Sequence, residues 1–251
     1  MEYDFFFECD NCKKEVELQY YNEKLGVCTV CLCANSFQNM YISGERLILS
    51  IDIGIKHLAL VLINIDEHWQ FQNIIWFDLV DITEFDCKPD CAFFHTKTFA
   101  DWIRHFIDKY EHVINKAERI LIERQPPNGL VVVEQLIFGC FREKSILISP
   151  TSVHKFFDIR QLDYEHRKIA VVNIARKYFT DKDYKKLCEY DRKHDICDAV
   201  LFTIFWIKKE QDRINSEILL QKRQEAMEKY NEHIGMSLDD FFDMYRYIPK
   251  T

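Results

Sequence analysis

Three short apolar runs in this chain each carry an acid at a defined place: LILSID ends on Asp52, RILIE ends on Glu123, and HDICDAVLF carries Asp195 and Asp198. Leu47 to Ile51 and Ile120 to Ile122 have the length and β-branched content of buried strands. A charge at the exit of such a strand must be solvated, paired or metal-bound. Asp195 and Asp198 open an apolar-periodic segment that runs to about Lys209, and residues three apart share a helix face. Two like charges on one face repel, and a divalent cation would remove that penalty. Acids in a first turn also favour the helix dipole without doing chemistry, so capping and ligation both remain open for this pair.

The other bounds come from composition. A chain of 251 residues with 48% hydrophobic residues, 6 Gly and 5 Pro has enough apolar content for one sizeable core plus appendages. No apolar run reaches the ~20 residues of a membrane span, so no membrane partner is expected. The acidic start MEYDFFFECD is unlike a secretory or mitochondrial leader. An intracellular, reducing location is the expectation, and the spacing of the first four of the 10 cysteines agrees with it.

Those four, Cys9, Cys12, Cys28 and Cys31, form a C-x2-C-x15-C-x2-C pattern in which each turn can aim two thiolates at one tetrahedral Zn2+. Residues 1–44 read as a zinc ribbon, too short to fold without its metal. Cys33 is a possible substitute ligand. Cys87, Cys91, Cys140, Cys188 and Cys197 read as buried or scattered thiols.

From about Glu45 the pattern is a three-strand meander, at Leu47–Ile51, Leu58–Asn64 and Gln70–Asp78, followed by alternating helix and strand. Lys97–Lys116 has helical periodicity through Phe99, Trp102, Phe106 and Tyr110. A strand is expected at Arg119–Glu123, a helix at Leu130–Arg142 and a strand at Ser145–Ser149. Pro150 should stop that strand and open a polar connection. Helices are expected at about Tyr164–Phe179 and Asp195–Gln211, with a charged helical tail in 212–251. This order gives an α/β class, a mixed sheet flanked by helices. Phe156 and Phe157 read as core.

The ordered set SIDIGIKHLALVL, ILIERQ and KHDICDAVLF resembles the Holliday junction resolvases of poxviruses and other large DNA viruses, relatives of bacterial RuvC and of the fungal mitochondrial resolvases. The resemblance covers residues 46 to about 211 and implies an RNase H-like (RuvC-type) fold over 45–211. It also implies a homodimer, two Mg2+ ions per active site with Mn2+ as a possible substitute, and paired nicks across a four-way DNA junction at a viral replication site in the host cytoplasm. The implied metal ligands and catalytic residues are Asp52, Glu123, Asp195 and Asp198. The N-terminal ribbon departs from the poxvirus pattern.

A nuclease needs local positive charge despite an overall net charge of -8. Residues 1–45 carry 3 Lys+Arg against 8 Asp+Glu, whereas residues 151–211 carry 13 against 10. Lys56, Lys155, Arg167, Lys168, Arg176, Lys177, Lys185, Lys186, Arg192 and Lys193 are therefore the candidate DNA contacts, with ordinary solvated lysines and arginines among them. His194 beside Asp195 reads as a water-orienting group, or as a helix cap or a solvated neighbour.

Three other readings compete. The Asp52-Ile53-Gly54 turn also opens the phosphate hairpin of actin-like kinases, but 6 Gly in the whole chain leave no second glycine-rich phosphate loop, so no nucleotide cofactor is expected. A non-catalytic zinc-ribbon DNA-binding factor would make the acids structural. A related RuvC-like nuclease would cut flaps or RNA-containing duplexes.

Overall fold

The computed structural model describes residues 46–84, 91 and 98–232, together with the backbone of four short strands nearer the N-terminus. Strand β1 (Phe6–Glu8) pairs antiparallel with β2 (Glu15–Glu17), and β3 (Tyr21–Asn22) with β4 (Val27–Cys28). Cys9, Cys12, Cys31, Cys33 and the Cys28 side chain lie outside the described residues, as do Cys87 and the tail beyond 232, so the zinc reading falls outside them too.

The main sheet holds β5 (Arg46–Asp52), β6 (Leu58–Ile65), β7 (Phe71–Val80), β8 (Arg119–Glu123) and β9 (Ser145–Ile148). Its order is β7-β6-β5-β8-β9. The first three strands are an antiparallel meander, and β5, β8 and β9 run parallel. The central strands β5 and β8 are nearly continuous apolar runs, as expected for strands covered on both faces.

Alternation along β5 sends its side chains to two cores. Leu47, Leu49 and Ile51 join Ile120 and Ile122 beneath α1 (Phe99–Ile114) and α2 (Val131–Cys140), where Phe106 and Tyr110 are buried. Ile48 joins Ala59, Val61 and Leu121 on the opposite face. There they meet α4 (Tyr164–Ala175) and the buried Ile196, Val200, Phe202 and Trp206 of α6 (Lys193–Glu232). The mixed sheet between two helical layers is as the sequence order implied.

Several local expectations need correction. Pro150 does not open a polar connection; it occupies the first turn of α3 (Pro150–Phe156), where its missing N–H has no helical partner to lose. Phe156 is 43% exposed and not core: it rests edge-on against Phe157 and Phe205 at the end of that short helix. The helix expected to reach Phe179 ends at Ala175 and tightens into a 3-10 turn over Arg176–Tyr178. A further helix, α5 (Asp181–Leu187), was not foreseen because it is too short and charged to show a period. Its signal was the cap: the Asp183 N–H donates to Thr180 Oγ1 at 3.1 Å, and that hydroxyl donates to Asp183 Oδ2 at 2.6 Å. Finally, α6 continues without a break through 211, since no Gly or Pro interrupts its 40 residues. What changes near 211 is burial: Ile207 is the last buried residue of α6, and Ile218, Leu219, Leu220 and Met227 are exposed.

Candidate active site

Pleat and register together bring the acids to one place. In the parallel β5–β8 pair, Ile51 lies opposite Ile122, so Asp52 and Glu123 are the next residues out on neighbouring strands. Adjacent strands lie about 4.8 Å apart. Ile51 and Ile122 face the α1 layer, so by alternation Asp52 and Glu123 face the α6 layer. On that side α6 begins, with Asp195 in its first turn and Asp198 one turn on. The first turn of α6 is anchored by Ile196 and Cys197, both fully buried against the sheet.

The result is a crowd of carboxylates. Burial, followed by the charges of Glu123 and Asp198, pushes the Asp52 carboxyl well above its usual range. Asp52 and Glu123 lie close enough that each shifts the titration of the other. Glu123 is also raised, chiefly by burial, although hydrogen bonds from Asp52, the Ile53 N–H and Gln125 pull the other way. The Ile53 N–H donates to Glu123 Oε2 at 3.2 Å and so ties the exit of β5 to the exit of β8. Asp198 is raised by burial as well, and its Oδ1 is buried with no hydrogen-bond partner. His154 of α3 faces that oxygen at 3.9 Å, too far for a hydrogen bond.

Asp195 is the exception. Burial acts upward on its carboxyl, but His194 and Arg192 outweigh it and hold the group below its usual range. Arg192 grips it through Nε at 2.7 Å and Nη2 at 3.1 Å. His194 is half-buried, neither a cap nor a solvated neighbour, with Nε2 3.1 Å from Asp195 Oδ1. His154, by contrast, was missed by sequence reasoning: nothing in PTSVHKF marks a histidine that will meet an aspartate 44 positions later.

A cleft of about 430 Å³ opens here, lined by Asp52, Gly54, Lys56, Glu123, Gln125, Arg192 and Asp195 among others. Gly54 is required by the turn, since a Cβ there would stand 2.4 Å from the His57 carbonyl oxygen. Among the described residues, no three His, Cys, Asp or Glu side chains are arranged to hold a metal ion. The donor set nevertheless fits a hard divalent cation: all four groups are carboxylates, and one buried oxygen is unpartnered. To bind a cation through Asp195, that carboxylate must be freed from Arg192.

The basic candidates divide by position. Lys56 and Arg192 line the cleft. Lys168 lies 3.9 Å over the Tyr164 ring and pairs with Glu165 at 3.6 Å, while Arg192 holds Asp195. Lys155 is exposed on α3, one residue beyond His154; Lys193 follows Arg192. Arg167 donates to the Leu162 carbonyl at 3.3 Å. Arg176, Lys177 and Lys186 belong elsewhere. Arg176 pairs with Asp181 and stacks on Tyr184, Lys177 stands by Tyr178, and Lys186 covers the Phe77 ring over the β7 edge.

No protein-family model and no curated protein matches this chain. Solved structures do. The yeast mitochondrial Holliday junction resolvase Ydc2 is similar at a TM-score of 0.50 and 16% identity, over 74% of this chain and 90% of that one. The fowlpox virus resolvase bound to Holliday junction DNA gives a TM-score of 0.49 at 19% identity, over 65% of this chain and 97% of its own. Thermus thermophilus RuvC gives 0.42 at 13%, over 66% of this chain and 97% of its own. The fold is RNase H-like. At these identities the likeness, carried by the yeast enzyme, is one of fold, and the chemistry rests on the side chains described above.

Proposed function

We propose that this chain is a Holliday junction resolvase, a divalent-metal-dependent endonuclease that nicks four-way DNA junctions symmetrically. The observation that carries this reading is the approach of Asp52 and Glu123, at adjacent parallel strand ends, to Asp195 and Asp198 at the start of α6, with Asp52, Glu123 and Asp195 lining one cleft and Asp52, Glu123 and Asp198 raised chiefly by burial. Ligands of this kind suit Mg2+, with Mn2+ as a substitute, because hard oxygen donors leave coordination positions open for phosphate and water.

When bound, such ions would lower the pKa of an attacking water and stabilise the departing 3′ oxygen. Asp52, Glu123, Asp195 and Asp198 would hold these ions between them. Arg192, beside Asp195, and Lys168, over Tyr164, would take a backbone phosphate, and Lys56 would reach the strand from the cleft wall. Arg192 would thereby leave Asp195 as DNA arrives. Lys155, Arg167 and Lys193 extend the same contact surface. Arg176 and Lys177 would serve only a DNA arm that passes over the β7 edge.

Symmetric nicking requires two such sites, and hence a homodimer. The C-x2-C-x15-C-x2-C run would hold one structural Zn2+ through Cys9, Cys12, Cys28 and Cys31, with residues 1–44 as a separate ribbon, 45–211 as the catalytic unit and 212–251 as a helical tail. An intracellular site of viral DNA replication follows from this reading.

The test uses purified full-length protein, Mg2+, a mobile synthetic four-way junction and a linear duplex of the same sequence. Paired nicks at the branch point, removed by EDTA and by Asp52→Asn with junction binding retained, are expected. Equal cutting of the linear duplex overturns the junction specificity. Cutting confined to flaps or RNA-containing duplexes assigns the site to a different substrate, and binding without any cutting leaves the chain a DNA-binding factor.

A further inference from the structure

Gln125 follows Glu123 by two residues, and its side-chain amide and backbone N–H are all hydrogen-bonded. Its Nε2 donates to Glu123 Oε2. Its Oε1 accepts the Leu130 N–H at 3.0 Å, and its backbone N–H donates to Glu134 Oε2. The orientation of the amide is fixed by chemistry, because a carboxylate only accepts and a backbone N–H only donates. Glu134 is itself 3% exposed, a buried acid in the first turn of α2 whose other oxygen takes the Gln135 side-chain amide. The loop closes over this brace only because residue 129 is glycine: a Cβ there would stand 2.7 Å from Gln125 Oε1 and 2.9 Å from Pro126 Cδ.

Two donors thus converge on one oxygen of Glu123, the Gln125 amide and the Ile53 N–H. They hold the carboxylate in one rotation and leave its Oε1 free of both. A metal ligand fixed in this way binds without first having to be ordered, and partners of this kind are typically worth 10–100-fold in metal affinity.

We infer that Gln125, clamped between buried Glu134 and the start of α2, is a positioning residue that presets Glu123 for cation binding. This rests on the reading of the four acids as cation ligands. Gln125 is not a catalytic residue here: its amide is committed to Glu123 and Leu130, and it acts through Glu123. Glu134 is the outer support of the same brace.

The test titrates Mn2+ into full-length protein and reads the melting temperature, so that no turnover is needed. Wild type, Asp52→Asn, Gln125→Met and Gln125→Glu are compared. The glutamate variant keeps the side-chain size and the acceptor for Leu130 but loses the donor to Glu123. Both Gln125 variants are expected to move the Mn2+ midpoint upward by tenfold or more, with the melting temperature in EDTA near that of wild type and junction binding in EDTA retained. An unchanged Mn2+ midpoint in either folded variant overturns the inference, whatever happens to cutting. A brace that matters only to folding would lower the EDTA melting temperature and leave the midpoint in place, which also overturns it. If wild type itself shows no Mn2+ response, the ligand reading of the acids fails first. If wild type responds, Asp52→Asn does not and the Gln125 variants follow wild type, only the present inference falls.

Discussion

Strands β5 and β8 lie side by side, and their two ends are built on opposite electrostatic rules. At the entry, Arg46 opens β5 and meets Glu118, just before β8, in a two-point ion pair through Nε at 2.7 Å and Nη2 at 2.6 Å. The guanidinium also lies 3.8 Å over the Trp69 ring, which packs on Trp206. A hydrogen bond from Arg46 holds the Glu118 carboxyl below its usual range. At the exit the same strands present Asp52 beside Glu123, two acids both raised, chiefly by burial. One end of the pair is arranged for the fold. The other carries a cost that the fold alone does not require, and buried acids perturbed in this way make a candidate functional site.

The contrast breaks most directly at Asp52. Replacing it by Asn should lower junction cutting by on the order of 10³-fold or more, measured as single-turnover rates in Mg2+. The same variant should melt higher than wild type in EDTA, since it removes a buried like charge. A lower melting temperature would mean that Asp52 is structural after all.

Next in size is the effect of cation. At a hundredfold excess over its dissociation constant, Mn2+ should stabilise wild type by about 2.7 kcal/mol, and Asp52→Asn should lose most of that gain. Comparable stabilisation of both proteins would place the Mn2+ response outside the acid end.

Gly54→Ala tests the turn that follows Asp52. Its Cβ collides with the His57 carbonyl, so unfolding in urea should show a loss of about 1–3 kcal/mol, typical of overpacking. Arg46→Ala at the other end should cost less, about 1 kcal/mol or below from the pair itself, because Glu118 is 37% exposed and solvent screens it.

The two ends should also respond oppositely to pH. The Asp52 and Glu123 carboxyls titrate above their unfolded values near 4, so without cation their contribution to stability is most favourable at low pH. It is lost as pH rises through the folded pKa values. Glu118 is depressed, so its contribution is present above the unfolded value and is lost as pH falls through the folded one. Urea midpoints in EDTA between pH 4 and 8 should therefore show a downward slope in wild type that flattens in Asp52→Asn. Glu118→Gln should weaken the protein nearly uniformly across that range, with the deficit shrinking only as the pH falls toward 4 and below. Parallel profiles for all three proteins would remove the electrostatic distinction between the two ends.

Much of the frame was legible without coordinates, because its signals are local. The run RILIE can be little other than a buried strand, and β8 has those bounds. The i,i+3 spacing of Asp195 and Asp198 required only a helix to place both on one face. Elements with weak local signals were lost: α5, recognisable only by its Thr180 cap, and α3, where proline starts a helix instead of ending a strand. Phe156 is apolar but sits at the end of a seven-residue helix that cannot turn it inward.

The acids themselves, their residue types and their places at the ends of apolar runs were set by the chain alone, since strand and helix periods are properties of consecutive residues. That Asp52 would lie one strand from Glu123, that Arg192 would close on Asp195, that His154 would approach Asp198, and that Gln125 would bridge Glu123 to α2 was decided only by the packed fold. Each of these depends on register between distant segments and on which groups are shut away from water together, and neither quantity is written in any single stretch of sequence.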